Sequence, residues 1–504
     1  MSLDGLLSEN PHDQNLVSHV HPPDWVWPEP AERYNLVVIG GGPAGLVAAF
    51  GAAGLGGRVA LVERGLLGGD CLNHGCVPSK AVLRVGHAAH NARDAARFGV
   101  TVGEVTVDFA EAMDRMRKIR ADIGPHDSAE RLRKEGIDLF LGSGAFSARD
   151  AITVTGDDGR TATLRFSKAL IATGARALVP PIPGLEDVGA RTNEQIFALT
   201  SLPRRLTVVG GGVIGCELAQ AFARMGSAVT LIDLAEQVLP REEPDAARIV
   251  QNQLGADGVD LRLGCKVARF HRDADTGDRM TVLDNGDTIA ADEILIAVGR
   301  RPNLDLGLDA AGIAASRKGV TVDDQLRTSN PNVFAAGDVI GQAAFTHAAD
   351  HQARVVLRNA LFFGNAKVSN LVIPRVTYTD PEVAAVGISQ AEADANDALS
   401  TYTVSIGETD RGRTDGESAG YCRVFADAKG RIHGATVVGE QAGELLAPLT
   451  LAMTHNLTLG QIASTIHPYP TRSEVVFKVA SAYNRTRLTP TAQKLTTTLL
   501  AWRR

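Results

Sequence analysis

Short apolar runs that are followed at once by glycines are the most regular pattern in this chain. YNLVVIGGGPAGLVAA (34–49) and RLTVVGGGVIGCELA (205–219) each continue with small and apolar residues at helical spacing. This pattern predicts a buried strand, a glycine turn and a helix. A second apolar run then ends in an acid, Glu63 in RVALVE and Asp233 in AVTLID. The chain therefore repeats one βαβ unit.

The glycines of both units have the spacing G-x-G-x-x-G: they are Gly40, Gly42 and Gly45, and Gly210, Gly212 and Gly215. The first glycine makes the turn, the second lets the backbone approach a pyrophosphate, and the third lets helix and strand pack closely. The helix N-terminus faces the anion, and the acid accepts a hydrogen bond from a ribose hydroxyl. We therefore predict two dinucleotide sites, and a flavin beside a nicotinamide cofactor would allow hydride transfer between them.

Other segments have simpler patterns. KALIATGA (168–175), EILIAVGR (293–300) and NVFAAGDVIG (332–341) are typical of short buried strands that end at a glycine. GEVTVD before residue 109 alternates like a strand, and residues 110–136 are typical of one or two charged surface helices.

The two ends of the chain differ from this core. From about residue 371 the sequence alternates like an antiparallel sheet, and helical sequence follows to 465. Residues 1–33 are proline-rich and predict an extended arm, with Trp25 and Trp27 packing on the surface.

Composition narrows the class of protein. The 504 residues predict two to four domains, and 44% hydrophobic with 22% charged residues is typical of a soluble globular protein. The net charge of −7 argues against nucleic-acid binding. We find no apolar stretch long enough to span a membrane. The first residues show no secretory signal, so we expect a cytoplasmic protein.

Two of the five cysteines lie close together in GGDCLNHGCVPSK (68–80), where Cys71 and Cys76 precede Lys80. In the cytoplasm a close cysteine pair is more often catalytic or metal-binding than a structural disulfide. Two alternatives remain at this point. The pair could be two small buried side chains, or part of a zinc site that would need further ligands.

From about residue 34 to 488 the chain resembles the FAD-dependent pyridine nucleotide–disulfide oxidoreductases, which include glutathione reductase, dihydrolipoamide dehydrogenase and mercuric reductase. The resemblance rests on GGDCLNHGCVPSK, the two glycine motifs, ATG, AAGD and the C-terminal HPYPTRSE. The VHPPDW arm and the AYNRTRLTP tail are similar to those of a bacterial mercuric-reductase-like group.

The fold class that this resemblance implies is α/β, with two Rossmann-like dinucleotide-binding domains (FAD and NAD) and a C-terminal α+β dimerisation domain. The expected boundaries are 1–33 for the extended N-terminal arm, 34–188 for the FAD-binding domain, 189–312 for the NAD-binding domain, 313–370 for the return to the FAD-binding domain, 371–488 for the dimerisation domain and 489–504 for a C-terminal tail. A homodimer with shared active sites is the expected assembly.

The resemblance also assigns the chemistry. Cys71 and Cys76 would form a redox disulfide stacked on the flavin, with Cys76 resting as a thiolate and Cys71 attacking the substrate. Lys80 would pair with Glu217 beside the flavin. The ammonium group would stabilise negative charge there, and positive charge near a thiol lowers its pKa.

Asp338 would bind the ribityl hydroxyls of FAD, and FTHAAD (345–350) would begin a helix directed at the flavin. Asp233 favours NADH over NADPH, because a carboxylate repels the 2′-phosphate. We predict no resident metal. The residues expected to bind the two cofactors are Gly40, Gly42, Gly45, Glu63, Gly69, Asp70, Lys80, Thr173, Gly174, Gly210, Gly212, Gly215, Asp233, Gly299, Gly337 and Asp338.

One position departs from the family pattern. Disulfide reductases of this family carry a histidine directly before Pro-Thr and a glutamate shortly after; here Tyr469 precedes Pro-Thr, Glu474 is in place and His467 lies just upstream. Tyrosine is a poor general base at neutral pH, which argues against efficient lipoamide or glutathione reduction.

We therefore expect electrons to pass from NADH through the flavin and the cysteine pair to a small disulfide, quinone or similar acceptor. Reduction of mercuric or another soft metal ion is an alternative, although the tail lacks the cysteine pair of metal-reducing members. A non-catalytic redox-sensing flavoprotein is a further alternative.

Overall fold

The computed structural model describes residues 10–362 and 364–504. These residues form two compact units. The first contains the described residues up to Glu236 together with Asp257–Leu371, and the second contains Gln237–Ala256 and Val372–Arg504.

The helices, numbered in chain order, are α1 (Pro11–Val20), α2 (Pro43–Gly54), α3 (Gly69–Asn73), α4 (Cys76–Asp94), α5 (Phe109–Ile123), α6 (Ala129–Lys134), α7 (Asn193–Ile196), α8 (Val213–Met225), α9 (Pro244–Ala256), α10 (Thr346–Leu361), α11 (Gln390–Asp394), α12 (Asp410–Thr414), α13 (Ala442–Thr454), α14 (Leu459–Ser464), α15 (Glu474–Thr486) and α16 (Pro490–Trp502). The strands are β1 (Tyr34–Ile39), β2 (Val59–Glu63), β3 (Ile137–Leu141), β4 (Ser143–Ala148), β5 (Ala151–Thr155), β6 (Thr161–Ile171), β7 (Ala175–Ala177), β8 (Arg205–Val209), β9 (Ala228–Asp233), β10 (Asp260–Leu263), β11 (Val267–Arg272), β12 (Arg279–Leu283), β13 (Thr288–Ala291), β14 (Glu293–Ile296), β15 (Arg300–Pro302), β16 (Ala315–Ser316), β17 (Gly319–Val320), β18 (Val333–Ala335), β19 (Arg375–Thr377), β20 (Glu382–Gly387), β21 (Leu399–Ser405), β22 (Tyr421–Asp427) and β23 (Ile432–Gly439).

The largest sheet of the first unit has the order β3-β2-β1-β6-β5-β4, and β18 also pairs with β6. Strands β3, β2, β1, β6 and β18 run parallel, whereas β4, β5 and the start of β6 form an antiparallel meander. β1 is buried except at Asn35, as expected for a parallel strand covered on both faces. The first predicted βαβ unit is therefore confirmed as β1, α2 and β2.

The second predicted βαβ unit is confirmed as β8, α8 and β9. It belongs to a parallel sheet of order β10-β9-β8-β14. Strands β11, β12 and β13 form a separate antiparallel sheet in the same unit of the structure. Both open parallel sheets therefore carry a glycine turn at the carboxyl end of a central strand, where α/β proteins bind ligands.

The second unit contains the antiparallel sheet predicted from residue 371, with the order β19-β20-β23-β22-β21. Helices α13 and α15 contribute Leu446, Leu449, Val475 and Val479 to its core. The sequence-based boundaries assign residues 237–256 to the NAD-binding domain, but the structure groups them with this unit.

Two ion pairs and a hydrogen bond connect residues 237–256 to this antiparallel sheet. Glu242 pairs with Arg375 on β19 (Nε–Oε1 3.0 Å), and Glu243 pairs with Arg423 on β22 (2.7 Å). The Tyr421 hydroxyl donates to Glu243 as well. These partners are distant in sequence, so the strand and helix pattern alone did not indicate them.

The N-terminal arm is not extended throughout, which corrects the prediction. Residues 11–20 form α1, while residues 1–9 of the predicted arm lie outside the described residues. The Asn10 side chain caps the helix by accepting from the His12 N–H, and Pro11 occupies a first-turn position where proline is tolerated. Leu16 and Val20 are fully buried, so packing stabilises a helix that proline content argued against.

Trp25 and Trp27 pack on the first unit, as predicted. Their indole N–H groups donate to the carbonyls of Leu139 (3.1 Å) and Leu141 (3.0 Å) on β3. Within the described residues β3 ends its sheet. The two tryptophans are two residues apart, as are the two carbonyls, which matches the period of a pleated strand. The indole N–H groups therefore satisfy carbonyls at the edge of the sheet.

The predicted strand before residue 109 is wrong. Residues 103–108 lie in an irregular, mostly exposed segment, and Asp108 caps α5 by accepting from the Glu111 N–H. Alternating valines do not form a strand without a partner strand.

In the described part of the chain, no helix is both long and apolar enough to cross a bilayer.

Candidate active site

A glycine turn and two helix ends bring Cys71 and Cys76 together. Gly68 and Gly69 have φ angles of +84° and +58°, which glycine adopts without strain. A Cβ on Gly69 would lie 2.8 Å from the Cα of Gly42, so glycine allows the close approach to the first glycine turn. Helix α3 then carries Cys71, and α4 begins at Cys76.

The two cysteines are free thiols, and a hydrogen bond between their side chains shifts the pKa of both. This hydrogen bond lowers the pKa of Cys76 to about 6, helped by a hydrogen bond with Thr346 and by the charge of Lys80. The same hydrogen bond, together with burial, raises the pKa of Cys71 far above its ordinary value. Cys76 is therefore the thiolate of the pair near neutral pH, and Cys71 keeps its proton.

Thr346 is the first residue of α10, and its Oγ1 lies 3.4 Å from the Sγ of Cys76. Cys76 itself is at the N-terminal end of α4. A helix N-terminus favours a nearby thiolate through its partial positive charge. The helix predicted to begin within residues 345–350 is confirmed.

Lys80 and Glu217 form the predicted ion pair. The Lys80 Nζ lies 2.8 Å from Glu217 Oε2. Lys80 follows Cys76 by one helical turn on α4, and Glu217 comes from the first turns of α8. The Glu217 side chain is only 4% exposed, and a carboxylate so deeply buried requires a cationic partner.

The first glycine turn has the geometry that its spacing predicts. Gly40 has φ of +107°, and a Cβ there would lie 2.3 Å from the carbonyl oxygen of Ala172. A Cβ on Gly45 would lie 1.8 Å from the carbonyl oxygen of Gly40. Gly42 is the N-cap of α2 and gives the helix no side-chain cap.

The second glycine turn repeats these features. Gly210 has φ of +113°, and a Cβ there would lie 2.4 Å from the carbonyl oxygen of Ala297. A Cβ on Gly215 would lie 1.8 Å from the carbonyl oxygen of Gly210. Gly212 is the N-cap of α8, again without a side-chain cap. In both turns the first-turn N–H groups of the helix remain for an anion.

Each predicted acid binds the glycine turn of its own unit. Glu63 accepts hydrogen bonds from the N–H groups of Gly41 and Gly65, both at 2.6 Å. Asp233 likewise accepts hydrogen bonds from the N–H groups of Gly211 and Ala235. These bonds fix both carboxylates at the rim of a turn, where a ribose would lie next to a pyrophosphate.

The predicted residues Asp70 and Asp338 lie on either side of Arg300. Its Nη1 is 3.2 Å from Asp70 Oδ2, and its Nε is 3.5 Å from Asp338 Oδ2. Burial raises the pKa of Asp338 above its ordinary value, although Arg300 opposes the shift. Gly337, with φ of +79°, makes the turn that leads from β18 to Asp338.

The remaining predicted positions lie at the ends of strands in the first unit. Thr173 follows β6; its hydroxyl donates to the carbonyl of Asn303, and the Asn303 side chain donates back to the carbonyl of Thr173. Gly174 and Gly299 have φ of +63° and +132°, so both turns depend on glycine.

The residues of the first unit fit an FAD group and a nicotinamide dinucleotide. Glycines at both helix N-caps leave space that a Cβ would occupy, and uncapped N–H groups suit pyrophosphates. The carboxylates of Glu63 and Asp233 suit ribose hydroxyls. The Cys76 thiolate lies on the same α4 turn that carries Lys80, which suits a redox partner that gains negative charge.

The C-terminal candidates lie in the second unit. The Tyr469 hydroxyl donates to Asp410 Oδ2 (2.9 Å), and this hydrogen bond raises the pKa of Tyr469. Glu474 is buried; it accepts from the Asp410 N–H (3.2 Å) and pairs with Lys478 (2.9 Å). Asp410 therefore connects Tyr469 to Glu474, and Tyr469 stays a protonated phenol to higher pH than a free tyrosine.

His467 is half-buried and is separated from this group. Its Nε2 lies 3.4 Å from the carbonyl oxygen of Ile462, and its ring stacks at a tilt on Phe477. The structure shows no hydrogen bond between His467 and Tyr469 or Glu474 in the described contacts. His467 is therefore held by its own local packing.

Sequence patterns did not indicate Thr346, Arg300 or Asp410. Each comes from a segment far from its partner, at separations of 270, 230 and 59 positions respectively from Cys76, Asp70 and Tyr469. Thr346 and Arg300 do lie within stretches quoted above, FTHAAD and EILIAVGR. The only sequence signal for these two residues was their place, at the start of a predicted helix for Thr346 and at the end of a predicted strand segment for Arg300.

Comparisons with known proteins find similar proteins over most of the chain. The pyridine nucleotide-disulphide oxidoreductase family matches residues 34–353, and its dimerisation domain matches residues 373–480. The chain is 37% identical over 465 residues to dihydrolipoyl dehydrogenase 2 of Haloarcula marismortui, covering 89% of this chain and 96% of that protein. It is 34% identical over 456 residues to mercuric reductase of Streptomyces lividans, with 89% and 96% covered.

Solved structures show the same likeness. LpdA from Mycobacterium tuberculosis superposes with a TM-score of 0.82 at 28% identity, covering 90% of this chain and 99% of that chain. The Cu(II) complex of the HOCl-induced flavoprotein disulfide reductase RclA from Escherichia coli superposes with a TM-score of 0.80 at 28% identity, covering 90% and 100%.

Proposed function

The chain belongs to the pyridine nucleotide–disulphide oxidoreductase family, whose members are FAD-dependent enzymes, and we propose that it passes electrons from NADH, by way of FAD, to Cys71 and Cys76 and on to a small acceptor. The observation that carries this proposal is the thiol pair. Cys76 has a lowered pKa and lies one turn before the Lys80–Glu217 ion pair, which is the setting a redox-active thiolate requires.

The thiol pair can supply its own base. Cys71 donates a hydrogen bond to Cys76, so transfer of that proton would leave Cys71 as the attacking thiolate. With a disulfide acceptor, the Cys71 sulfur displaces one acceptor sulfur as a thiolate, which takes up the proton that Cys76 had received. The Cys76 thiolate then attacks Cys71 and releases the second acceptor sulfur as a thiolate, which takes a proton from solvent. The acceptor gains two electrons from the thiol pair and two protons, one from the pair and one from solvent, and the enzyme keeps a Cys71–Cys76 disulfide.

We assign FAD to the first glycine turn. Glu63 would bind the adenosine ribose, the α2 N-terminus would bind the pyrophosphate, and Asp338 would bind the ribityl hydroxyls. Arg300, held between Asp70 and Asp338, would supply a cation near the phosphates. Lys80 and Glu217 would lie beside the flavin ring and hold charge there.

NADH is the preferred donor in this proposal. Asp233 is fixed at the second glycine turn by two backbone N–H groups, and a carboxylate there repels a 2′-phosphate. We expect kcat/KM to be higher with NADH than with NADPH, and Asp233→Ala to narrow the ratio by about tenfold, since one such contact contributes about 1–2 kcal/mol. A higher kcat/KM with NADPH in the wild-type enzyme would contradict the assignment.

The acceptor is proposed from the C-terminal residues. Tyr469 is bound to Asp410 and its pKa is raised, so it gives an acceptor little help with proton transfer. We therefore favour quinones and other acceptors that need no protein base, with small disulfides as slower acceptors.

An acceptor panel tests this proposal. NADH oxidation is measured with lipoamide, glutathione disulfide, a benzoquinone and Hg²⁺ in excess thiol, using the wild type and the Cys71→Ser and Cys76→Ser variants. Cys265→Ser serves as the matched control, because Cys265 is a half-buried thiol in the connection between β10 and β11. We expect disulfide reduction to be lost in both active-site variants and kept in the control. An acceptor reduced at the wild-type rate by both variants does not use the thiol pair.

Reduction of a soft metal ion is the second candidate. Relatives that carry the name mercuric reductase and a copper complex among the similar structures favour it, and so does a thiolate-bearing cysteine pair. Among the described residues no cluster of three metal-ligating side chains forms, so Cys71 and Cys76 would have to bind the ion as a pair. Turnover with Hg²⁺ that exceeds quinone turnover would favour this candidate.

We further propose a homodimer with shared active sites. The family's dimerisation domain matches residues 373–480, and the candidates Tyr469 and Glu474 fall within that range. In this arrangement the Cys71 and Cys76 of one protomer would face the C-terminal residues of the other.

A further inference from the structure

Residues 10–33 precede the part of the chain that the family matches, yet they contact the segment that carries the cysteines. We propose that this N-terminal segment positions the loop between Cys71 and Cys76, through Asp13 and Arg120, and thereby favours the disulfide over the dithiol. The inference rests on the proposed redox role of the cysteine pair.

The first contact is a buried ion pair. Asp13 on α1 accepts from Arg120 on α5, with Oδ1 and Nη2 2.6 Å apart. Their side chains are 5% and 3% exposed. Desolvation makes an unpaired charge at such a place costly, so each residue depends on the other.

Arg120 then reaches the loop itself. Its Nη1 donates to the carbonyl oxygen of Asn73 at 2.8 Å, and Asn73 lies between the two cysteines in sequence. The Asn73 side chain in turn donates to the carbonyls of Gly69 (2.8 Å) and Leu67 (3.1 Å). The guanidinium group of Arg120 therefore holds the backbone between Cys71 and Cys76, and its counter-ion is Asp13 on α1.

Arg120 is the positive group that contacts the loop. His74, the next residue along the loop, is buried, and burial lowers its pKa to about 4. It is therefore neutral at pH 7. Asp13 is the carboxylate that pairs with Arg120 and also with Arg117, whose guanidinium donates elsewhere.

A second contact ties the same segment to the end of α1. The Leu67 N–H donates to the carbonyl oxygen of Val20 at 3.1 Å, and His21 Nδ1 lies 2.6 Å from the carbonyl oxygen of Gly65. These bonds hold the residues that lead into the Gly68–Gly69 turn. The N-terminal segment thus supports the cysteine segment at its entry and at its centre.

The consequence concerns the thiol–disulfide equilibrium. A loop held in one conformation loses little entropy when its cysteines join, whereas a loosened loop loses more. Releasing Asn73 should therefore stabilise the dithiol relative to the disulfide. Asp13 and Arg120 are positioning residues, because they act through the loop backbone and do not touch the sulfur atoms.

The test is a redox titration of the holoenzyme. Wild type, Asp13→Asn, Arg120→Met and the double variant are equilibrated with mixtures of reduced and oxidised dithiothreitol, alkylated and examined by mass spectrometry. In each exchange one dithiothreitol dithiol becomes its cyclic disulfide while the enzyme disulfide becomes two thiols. Arg117→Met is the matched control: Arg117 also pairs with Asp13 (3.3 Å) but donates to the carbonyls of Ala198 and Leu199.

We expect Asp13→Asn and Arg120→Met each to lower the equilibrium constant for disulfide formation at least threefold. The double variant should equal Arg120→Met, and Arg117→Met should stay within twofold of wild type. If Arg120→Met does not fold, the isosteric Asp13→Asn carries the test. Values for Asp13→Asn and Arg120→Met within twofold of wild type, or an equal shift in Arg117→Met, would overturn the inference. A wild-type pair that never forms a disulfide would instead refute the proposed redox role, and this inference with it.

Discussion

One proton decides the reactivity of the cysteine pair. It lies on Cys71, because Cys76 has the lower pKa, and it can move along the hydrogen bond between the two sulfurs. Before that transfer the thiolate is at Cys76, where the hydrogen bond from Cys71, the hydroxyl of Thr346 and the charge of Lys80 all lower the pKa. Lys80 is kept in place by a glutamate that is almost fully buried.

The pH dependence of alkylation checks this assignment. In the reduced enzyme, Cys76 should react with iodoacetamide at a rate that rises through an inflection near pH 6, well below that of an ordinary thiol. Thr346→Val keeps the side-chain shape but removes the hydroxyl, and it should raise the inflection by about 0.5–1 pH unit. Modification of each cysteine is followed by mass spectrometry, with Cys265 as the internal reference. An inflection of Cys76 at pH 8 or above would show that these neighbours do not act as described.

Tyr469 offers a gain-of-function test. Tyr469→His places an imidazole of suitable pKa beside Asp410 and Glu474, and general base catalysis contributes about 10²–10⁴-fold. Turnover of lipoamide or glutathione disulfide should therefore rise at least tenfold, while quinone turnover should stay unchanged. Steady-state rates with both acceptors give the comparison. If disulfide turnover is already high and is lost in His467→Gln, His467 is the base instead.

At the level of residues, the sequence predicted what short spacing determines. The glycine turns, Glu63 and Asp233, the cysteine pair and the Lys80 partner follow from motifs or from the family they resemble. Thr346, Arg300 and Asp410 were missed, because their partners are brought close only by folding. The sequence shows Tyr469 directly before Pro470 and Thr471, but its hydrogen bond to Asp410 could not be predicted from HPYPTRSE.

At the level of elements, Arg472 anchors the segment between α14 and α15. It pairs with Asp415 (2.8 Å) and Glu440 (2.7 Å) and also with Glu417. Burial, together with a hydrogen bond that protonated Glu417 donates to the Glu440 carboxylate, raises the pKa of Glu417 to about 7. Asp415 also pairs with Arg411, which leaves Glu417 and Glu440 close together beside the single charge of Arg472, so Glu417 retains a proton near neutrality.

This cluster predicts a pH-dependent stability. Because the folded pKa of Glu417 lies above its unfolded value, its contribution is present below about pH 4.5 and is lost as the pH rises through 7. Glu417→Gln removes that loss. The Tm of the variant minus the Tm of the wild type should therefore be about 2–4 °C larger at pH 8 than at pH 5. Thermal unfolding at both pH values measures the difference. The control Glu444→Gln changes an exposed glutamate of α13 and should show no such trend; an equal trend there would contradict the cluster argument.

Secondary-structure elements could be predicted where the segments that pair or pack together are close in sequence. The two βαβ units have continuous apolar runs with a short glycine turn between strand and helix. Helix α1 was missed because Pro11 and the later prolines suggested extended chain, while its stability comes from buried contacts with distant residues such as Arg120. The predicted strand before residue 109 is wrong because its alternating valines have no strand to pair with among the described residues.

At the level of the whole molecule, the candidate chemistry is divided between the two compact units. The thiol pair and the glycine turns belong to the first, while Tyr469 and Glu474 belong to the second. The segment before α15 also exposes large apolar side chains, with Ile466 at 95% and Tyr469 at 71%. Such exposure on a segment within the dimerisation domain is expected where a second copy docks.

Mixed dimers provide the last prediction. One subunit carries Cys71→Ser, and a differently tagged subunit carries whichever of Tyr469→Ala, His467→Gln and Glu474→Gln most lowers turnover; dimers with both tags are purified after co-expression. If each site combines the cysteines of one protomer with the C-terminal residues of the other, one site contains both changes and the second contains neither. The mixed dimer should then show about half of wild-type turnover, although each parent homodimer is impaired, because isologous pairing exchanges the two segments reciprocally. A mixed dimer no more active than its parents, or a fully active monomer in sedimentation, would place the whole site within one protomer.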